Sequence, residues 1–120
     1  MKIDGIGIDL VEFDRIKTMA MERLAKRILS KEEIKIYTDM KLAKQKLNFL
    51  AGRFAAKEAY TKAYQTFDEP LNMVDVSVLN DHHGAPYIKS PYRSQDNVLL
   101  SLSHSEHYVV AICMVEKVKK

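Results

Sequence analysis

The sequence predicts an α+β protein in which an antiparallel sheet packs on one long central helix. Three patterns support this fold class: a helical stretch from about Leu42 to Tyr64 that is apolar on two sides, an alternating strand pattern at the start of the chain, and two alternating runs near its end. A chain of 120 residues suits one core, and no repeat or linker divides it. We therefore expect residues 1–120 to form a small single domain.

The composition is typical of a soluble protein rather than a membrane protein. Hydrophobic residues make up 47% and charged residues 29%, as in ordinary soluble proteins, and no run approaches the roughly 20 apolar residues that span a membrane. Nothing resembles a signal peptide, and the single cysteine, Cys113, lies in an apolar alternating run typical of a buried thiol in a reducing compartment. A net charge of +3 is too small to imply nucleic acid by itself. We expect a cytoplasmic protein with neither a membrane nor a nucleic acid as partner.

The first predicted strand, Lys2 to Val11, has one aliphatic face and one nearly bare face. The aliphatic face consists of Ile6, Ile8 and Leu10, and the bare face consists of Gly5, Gly7 and Asp9. Glycine at alternate strand positions indicates that another backbone or a ligand approaches closely. Asp9, at the end of the bare face, suits either the cap of the helix that follows or a ligand-binding role.

The next segment, from about Glu12 to Leu29, is predicted as one amphipathic helix. Its buried stripe consists of Phe13, Ile16, Ala20, Leu24 and Ile28. A second stripe, called the basic strip below, should be exposed and consists of Arg15, Met19, Arg23 and Lys26. Charged stripes are usually only solvated faces, but an adaptable apolar residue among cations favours docking of an acidic amphipathic helix.

A capping box opens the following short helix, because Ser30 is followed three residues later by Glu33. This helix should end near residues 38–39, before the central helix begins. After the central helix the pattern predicts a loop from Gln65 to Leu71, a strand from Met73 to Leu79, a turn from Asn80 to Pro86 and a short strand from Tyr87 to Lys89.

The central helix carries charge where a helix should be apolar. Its small-residue side consists of Gly52, Ala56, Ala59 and Ala63, and the residues left for a polar strip are Arg53, Lys57, Tyr60 and Tyr64. Glu58 instead falls within the arc of Leu50 and Phe54 and should face inward. An i, i+4 surface pair with Lys62 would explain it, but a carboxylate on an apolar arc needs a cation or a metal. Glu58 is therefore a metal-site candidate.

The last predicted hairpin joins Asn97 to Ser103 with Tyr108 to Val118. Its second strand is apolar on both faces, so it should be central in the sheet. This strand and the two apolar sides of the long helix have more apolar surface than one small domain hides, which predicts an oligomer. The connecting turn contains serine, histidine and glutamate, but neighbours on a turn seldom reach the geometry of a hydrolase triad. An anion contact from His104 is the simpler interpretation.

With these residues in hand, the chain resembles the holo-(acyl-carrier-protein) synthases, which are 4′-phosphopantetheinyl transferases. The likeness rests on residues 5–12 (GIGIDLVE), 49–59 (FLAGRFAAKEA) and 102–105 (LSHS), with a similar turn at residues 84–87 (GAPY). The middle run combined with the downstream Ser-His is highly specific to the family, and the matching stretches together cover the chain from end to end. One departure is the segment from Gln65 to Pro70, where many relatives have a glycine-rich loop, so no coenzyme A contact is assigned there.

The resemblance implies the fold of these transferases and the roles of five side chains. Asp9 and Glu58 would hold Mg²⁺ on the pyrophosphate of coenzyme A, and Lys62 would lie near the phosphates. Arg53 and His104 would lie near the 3′-phosphate of the nucleotide. Catalysis would fall to Glu58 and Lys62, although the sequence leaves open whether Glu58 or a metal-bound water accepts the proton of the attacking serine.

The resemblance further implies the substrates and the assembly. The 4′-phosphopantetheine group would pass from coenzyme A to a serine of apo-acyl-carrier protein, in fatty acid biosynthesis, and adenosine 3′,5′-bisphosphate would leave. The enzyme would be a homotrimer with active sites at subunit interfaces, and the basic strip would dock the acidic carrier protein. Two alternatives remain from the residues alone: a non-catalytic adaptor that binds an acidic protein or RNA, and a metal-dependent hydrolase of nucleotide pyrophosphates.

Overall fold

The architecture is a sheet laid against one long helix. The computed structural model describes residues 2–65 and 71–118. In these residues the chain forms β1 (Gly5–Glu12), α1 (Phe13–Thr18), α2 (Met21–Ile28), α3 (Lys31–Asp39), α4 (Ala43–Ala63), a 3₁₀ turn (Met73–Asp75), β2 (Ser77–Asn80), β3 (Pro86–Lys89), β4 (Asn97–His104) and β5 (Tyr108–Glu116). None of the helices in these residues is long and apolar enough to cross a membrane.

The main sheet is antiparallel, with β5 between β1 and β4. The central position of β5 was predicted from its two apolar faces and is confirmed. Its inner face, which consists of Val109, Ala111, Cys113 and Val115, is buried. Burial raises the pKa of the Cys113 thiol to about 12, and this cysteine is the buried thiol that the sequence predicted. The strands β2 and β3 form a separate antiparallel pair.

Helix α4 packs closely against the bare face of β1. A Cβ atom on Gly7 would lie 1.9 Å from the carbonyl oxygen of Ala59, and one on Gly5 would lie 2.1 Å from that of Ala63. Any side chain at either glycine would therefore push the helix off the strand. The predicted close approach is confirmed, and the approaching backbone belongs to the small-residue side of α4.

The opposite face of the main sheet is left uncovered by the rest of the described chain. The apolar members of this outer face are Ile6, Ile8 and Leu10 of β1, Leu99 of β4, and Val110, Ile112 and Met114 of β5, and the serines Ser101 and Ser103 of β4 lie on the same face. Ile6, Ile8, Leu10 and Leu99 each expose between 51% and 62% of their surface. Contiguous exposed aliphatic residues of this kind mark an interaction surface.

The predicted single helix from Glu12 to Leu29 is wrong, because the chain breaks it into α1 and α2. Met19 and Ala20 both have extended backbones at the break, and Ala20 is exposed rather than part of the buried stripe. Ile16 and Leu24 would lie within about 80° of each other on one continuous helix. Periodicity therefore cannot detect a break between them, and packing against the rest of the chain decides it.

Other predicted elements are close to the observed ones. Helix α3 has the complete capping box of Ser30 and Glu33, and α4 starts and ends within a residue of its predicted limits. The strand predicted from Met73 to Leu79 is partly wrong, since its first residues form the 3₁₀ turn and β2 starts at Ser77. Of the loop predicted from Gln65 to Leu71, residues 66–70 lie outside the described residues.

The polar strip predicted on α4 is also wrong, because most of it lies in the core. Lys57 is fully buried, and Tyr60 and Tyr64 are almost fully buried. The ammonium of Lys57 donates to Glu33 Oε1 at 2.5 Å and to the carbonyl oxygens of Ile28, at 2.5 Å, and Met73, at 3.1 Å. Lys57 is therefore a buried cation with three oxygen partners.

Glu33 completes this buried network from the other side. Its carboxylate also accepts hydrogen bonds from the backbone N–H groups of Ser30, at 2.8 Å, and Val78, at 2.7 Å. One carboxylate thus caps α3, binds the ammonium on α4 and holds a backbone donor of β2. Burial lowers the pKa of Lys57, and the charge of Glu33 opposes that shift, as expected of a buried ion pair.

Candidate active site

Asp9 and Lys62 meet where the bare face of β1 ends against α4. The ammonium of Lys62 lies 2.9 Å from Asp9 Oδ1 and donates to the carbonyl oxygen of Ile8 at 3.0 Å. The Asp9 side chain is largely buried, whereas that of Lys62 is nearly half exposed. Helix α1 starts after Glu12 and has no side-chain cap, so Asp9 is not the helix cap that the sequence allowed.

Glu58 lies one helical turn before Lys62 and is half-buried. Burial raises the pKa of its carboxyl, the charge of Asp9 raises it further, and Lys62 opposes both effects. Glu58 shares one side of α4 with Lys62, four residues later, and Lys62 contacts Asp9, so the carboxyls of Asp9 and Glu58 lie on the same side of this helix. Two partly buried carboxylates that repel each other favour a bound cation.

The donor set of this carboxylate pair suits Mg²⁺. No group of three or more His, Cys, Asp or Glu side chains that could enclose a metal occurs within residues 2–65 and 71–118. A closed structural metal site is thus absent from that part of the chain. Mg²⁺ prefers hard oxygen ligands and is usually held by one or two carboxylates, with water and substrate phosphates as its other ligands. Asp9 and Glu58 fit that pattern.

Arg53 and His104 line a different cavity, called the Arg53 groove below. This groove has a volume of about 600 Å³ and is lined by Phe13, Met40, Gln45, Asn48, Phe49, Gly52, Arg53, Asn80, Gly84, Pro86, Leu102, His104 and Val109. Its walls are mostly apolar, with a few polar side chains, as is usual for sites that bind small molecules.

The guanidinium of Arg53 is held in place in this groove. Its Nε donates to the carbonyl oxygen of Val78 at 3.1 Å, and one terminal nitrogen donates to Asn80 Oδ1 at 2.8 Å. The guanidinium carbon also lies 4.2 Å from the centre of the Phe49 ring. Because these contacts fix the orientation of the side chain, Arg53 is prepared to bind an anion at its free N–H groups.

Sequence reasoning missed the residues that support Arg53. The N–H of Val78 binds buried Glu33, and its carbonyl binds Arg53, so the Glu33–Lys57 network stands directly behind the groove. Asn80, predicted only as a turn residue, contacts Arg53 and also donates to the carbonyl of Gly84. The capping-box pattern pointed to Glu33, but nothing in the sequence pairs it with residues 24 and 45 positions away.

The predicted site residues therefore fall into two clusters. Asp9, Glu58 and Lys62 lie together, and Arg53 and His104 lie together in the groove. Arg53 and Glu58 are five residues apart on α4, which separates them by about 140° around the helix axis. A single copy thus presents the two clusters on different sides of α4.

The sequence profile of the 4′-phosphopantetheinyl transferase superfamily matches residues 5–113, nearly the whole chain. The chain belongs to this superfamily. Its predicted membership and its predicted class of enzyme, a phosphopantetheinyl transferase, are thereby confirmed.

Similar members of the superfamily are known from bacteria. The holo-(acyl-carrier-protein) synthase of Acholeplasma laidlawii is 40% identical over 114 residues, which cover 95% of this chain and 97% of that protein. The enzyme of the same name from Bacillus subtilis is 41% identical over 118 residues, which cover 96% of this chain and 97% of that protein.

A solved structure supports the fold class. The crystal structure of a holo-(acyl-carrier-protein) synthase from Bacillus anthracis str. Ames in complex with CoA (3′,5′-ADP) matches with a TM-score of 0.85 and 38% identity. The match covers 97% of this chain and 98% of that one. The predicted α+β fold of these transferases is confirmed.

All four residues of the basic strip are exposed, as predicted, but they do not lie on one helix. Arg15 belongs to α1, Met19 ends it, and Arg23 and Lys26 belong to α2. The strip is therefore bent at the break between the two helices. Its role in docking remains a prediction.

Proposed function

We propose that this chain transfers the 4′-phosphopantetheine group of coenzyme A to a serine of apo-acyl-carrier protein, with Mg²⁺ as cofactor. The products are holo-acyl-carrier protein and adenosine 3′,5′-bisphosphate. The observation that carries this proposal is the meeting of Asp9, Glu58 and Lys62 at the junction of β1 and α4. The relatives named as holo-(acyl-carrier-protein) synthases and the CoA complex support it. A cytoplasmic location and a role in fatty acid biosynthesis are part of the same proposal.

In this reaction the serine oxygen of the carrier attacks the β-phosphorus of coenzyme A. The bond between that phosphorus and the bridging oxygen of the pyrophosphate breaks, and the bridging oxygen leaves with the bisphosphate. Asp9 and Glu58 would hold the Mg²⁺, which supplies neutralisation of the pyrophosphate charge when bound. The ammonium of Lys62 adds a second positive charge at the same place.

Glu58 is the residue of this chain best suited to take the serine proton. Glu58 is half-buried on the same side of α4 as Lys62, and a carboxylate can act as a general base. Arg53 and His104 are assigned to the 3′-phosphate of the nucleotide, because Arg53 is already oriented in the groove and can bind a phosphate through two N–H groups.

The assembly proposed for this reaction is a homotrimer with each active site between two copies. The two clusters lie on different sides of α4, so groups from one copy alone do not face one another across a ligand. The outer face of the main sheet is apolar and exposed, which suits burial against other copies.

Intact-mass measurement tests the function directly. Apo-acyl-carrier protein incubated with this protein, coenzyme A and Mg²⁺ should gain the mass of one phosphopantetheine, and a carrier whose acceptor serine is replaced by alanine should not. An unchanged carrier mass would overturn the proposal. Coenzyme A cleaved without carrier modification would identify a hydrolase, and neither change would identify an adaptor.

The outer face is expected to hold the trimer together. Replacing Ile8 with Asp would put a charge in the middle of this face, so dissociation and loss of transfer should follow, because an unpaired charge is costly in an apolar interface. Sedimentation at micromolar concentration should give a trimer for the natural chain and a monomer for the variant. Ile36→Asp is the matched control, since Ile36 is an exposed aliphatic residue of α3. A monomeric natural chain would contradict the proposed assembly.

The basic strip is expected to set the affinity for the carrier protein. Reversing Arg15 or Arg23 to Glu should raise the KM for the carrier about tenfold at low salt and flatten its salt dependence, because exposed charges act mainly by steering encounter. Met19→Ala should raise the KM without changing the salt dependence, because Met19 contributes apolar contact. The KM for coenzyme A should change little in all three variants.

Lys35→Glu is the control for charge reversal, because Lys35 is an exposed cation of α3 outside the strip. It should leave the carrier KM nearly unchanged. If the reversals at Arg15 and Arg23 behave like this control, the basic strip is only a solvated face.

A further inference from the structure

Gly52 occupies a position where the fold gains nothing from glycine. It lies in the interior of α4, where glycine destabilises a helix relative to alanine because it has more freedom in the unfolded chain. Its backbone does not require glycine either, since the glycine with a positive φ among the described residues is Gly84.

Packing within the chain does not require glycine at this position. A Cβ atom on Gly52 would meet no atom of the described chain beyond its own turn of helix within 4 Å. Gly5 and Gly7 behave oppositely, because a Cβ on either would collide with the backbone of α4. Although Gly52 is buried, no packing contact within the described chain therefore requires glycine there.

The surroundings of Gly52 indicate which ligand the position suits. Gly52 lines the Arg53 groove together with the oriented guanidinium of Arg53 and the imidazole of His104. Both side chains have N–H donors suited to a phosphate. The groove also has apolar walls, among them Phe49 and Leu102. A nucleotide combines the two required chemistries, a phosphate group and a flat, largely apolar base.

We propose that Gly52 leaves room in the Arg53 groove for a 3′-phosphorylated adenosine nucleotide to bind directly against α4. The inference rests on the proposed function and deepens it, since coenzyme A and the product bisphosphate share this nucleotide. In this role Gly52 acts through the absence of a side chain. A methyl group at this position occupies the space that the ribose and base need.

The test combines ligand affinity with stability in Gly52→Ala and Gly52→Leu. The probe is adenosine 3′,5′-bisphosphate, titrated calorimetrically, because it contains the nucleotide without the pantetheine arm. Gly52→Ala should weaken binding at least about tenfold, and Gly52→Leu should weaken it further, because overfilling a formed site costs binding free energy. The unfolding midpoint of ligand-free Gly52→Ala should rise by roughly 3 to 5 °C. A more stable protein that binds more weakly is the expected signature.

Thr61→Ala is the matched control. Thr61 is exposed on α4, and nine residues separate it from Gly52, which places the two on opposite sides of the helix. This substitution also introduces alanine, but it should leave the affinity for the bisphosphate unchanged.

Unchanged affinity in both Gly52 variants would overturn the inference, and so would a natural chain that does not bind the bisphosphate. Loss of the oligomer in Gly52→Ala would also overturn it, because a second copy of the chain would then fill the space. The carrier-mass assay separates this inference from the proposed function. If the natural chain transfers phosphopantetheine and the variants bind normally, only the role of Gly52 fails. If no transfer occurs but binding depends on Gly52, the nucleotide site stands and the transferase assignment fails.

Discussion

Asp9→Asn and Glu58→Gln should each reduce phosphopantetheine transfer at least about a thousandfold. Each change removes one anionic oxygen from a two-carboxylate site for a hard cation, and such charge stabilisation is worth several kcal/mol, or roughly three powers of ten in rate. The measurement is the initial rate of carrier modification at saturating Mg²⁺. Near-normal turnover in either variant would contradict the assigned metal site.

Thermal unfolding supplies a control that does not depend on activity. Mg²⁺ should raise the unfolding midpoint of the natural chain and should have little effect on either variant, because a ligand stabilises only the state that binds it. A variant that has lost activity through misfolding would instead show a lowered midpoint without metal.

The raised pKa of Glu58 predicts how the stability of the metal-free Glu58→Gln variant depends on pH. Its pKa in the folded state is raised, mainly by burial, so the folded state favours the protonated carboxyl. The resulting contribution to stability is fully present below the unfolded-state pKa and is lost as the pH rises through the folded-state value. Metal-free Glu58→Gln should therefore be more stable than the natural chain at pH 7, with the difference shrinking towards pH 4. A less stable variant at pH 7 would contradict the raised pKa of Glu58.

The second large effect is expected from Lys57→Met, which should destabilise the fold by about 3 to 5 kcal/mol. The substitution leaves Glu33 as a buried carboxylate without its cation and removes the donor from the buried carbonyl of Ile28 and the partly buried carbonyl of Met73. Denaturant unfolding of the natural chain and the variant measures the difference. A loss below about 1 kcal/mol would show that the buried pair contributes little.

A double substitution separates the charge from the packing. Glu33→Gln combined with Lys57→Met removes both charges. The N–H groups of Ser30 and Val78 bind different oxygens of Glu33, and the glutamine amide keeps an acceptor for only one of them, so part of the lost stability should return. Lys44→Met is the control, because Lys44 is an exposed lysine of the same helix and should change stability by less than about 0.5 kcal/mol.

Local sequence patterns correctly predicted the features that depend on interactions between residues close together in the sequence. The capping box at Ser30 and Glu33 marked the start of α3, because its hydrogen bonds join residues three positions apart. The glycines of β1 predicted a close backbone, because a strand directs every second residue to one face. The family motifs identified Asp9, Glu58 and Lys62 as candidates before any geometry was known.

The errors occur where distant parts of the chain decide the outcome. The helical period at Ile16 and Leu24 fits one helix or two, and only the packed structure breaks it at Met19. The spacing of Lys57 on α4 predicts an exposed polar residue. It is instead a buried cation, because Glu33, 24 residues away in the sequence, binds it in the core.

The sequence by itself determined the fold class, the order of most elements and the candidacy of Asp9 and Glu58, because these follow from side-chain spacing along a regular backbone. The candidate roles of Lys62, Arg53 and His104 came from the family resemblance. The tertiary structure alone decided which charges are buried, how Arg53 is oriented and where Gly52 opens a space. These properties depend on contacts between residues far apart in the chain, and the free energy of burying a charge depends on partners that no local pattern records.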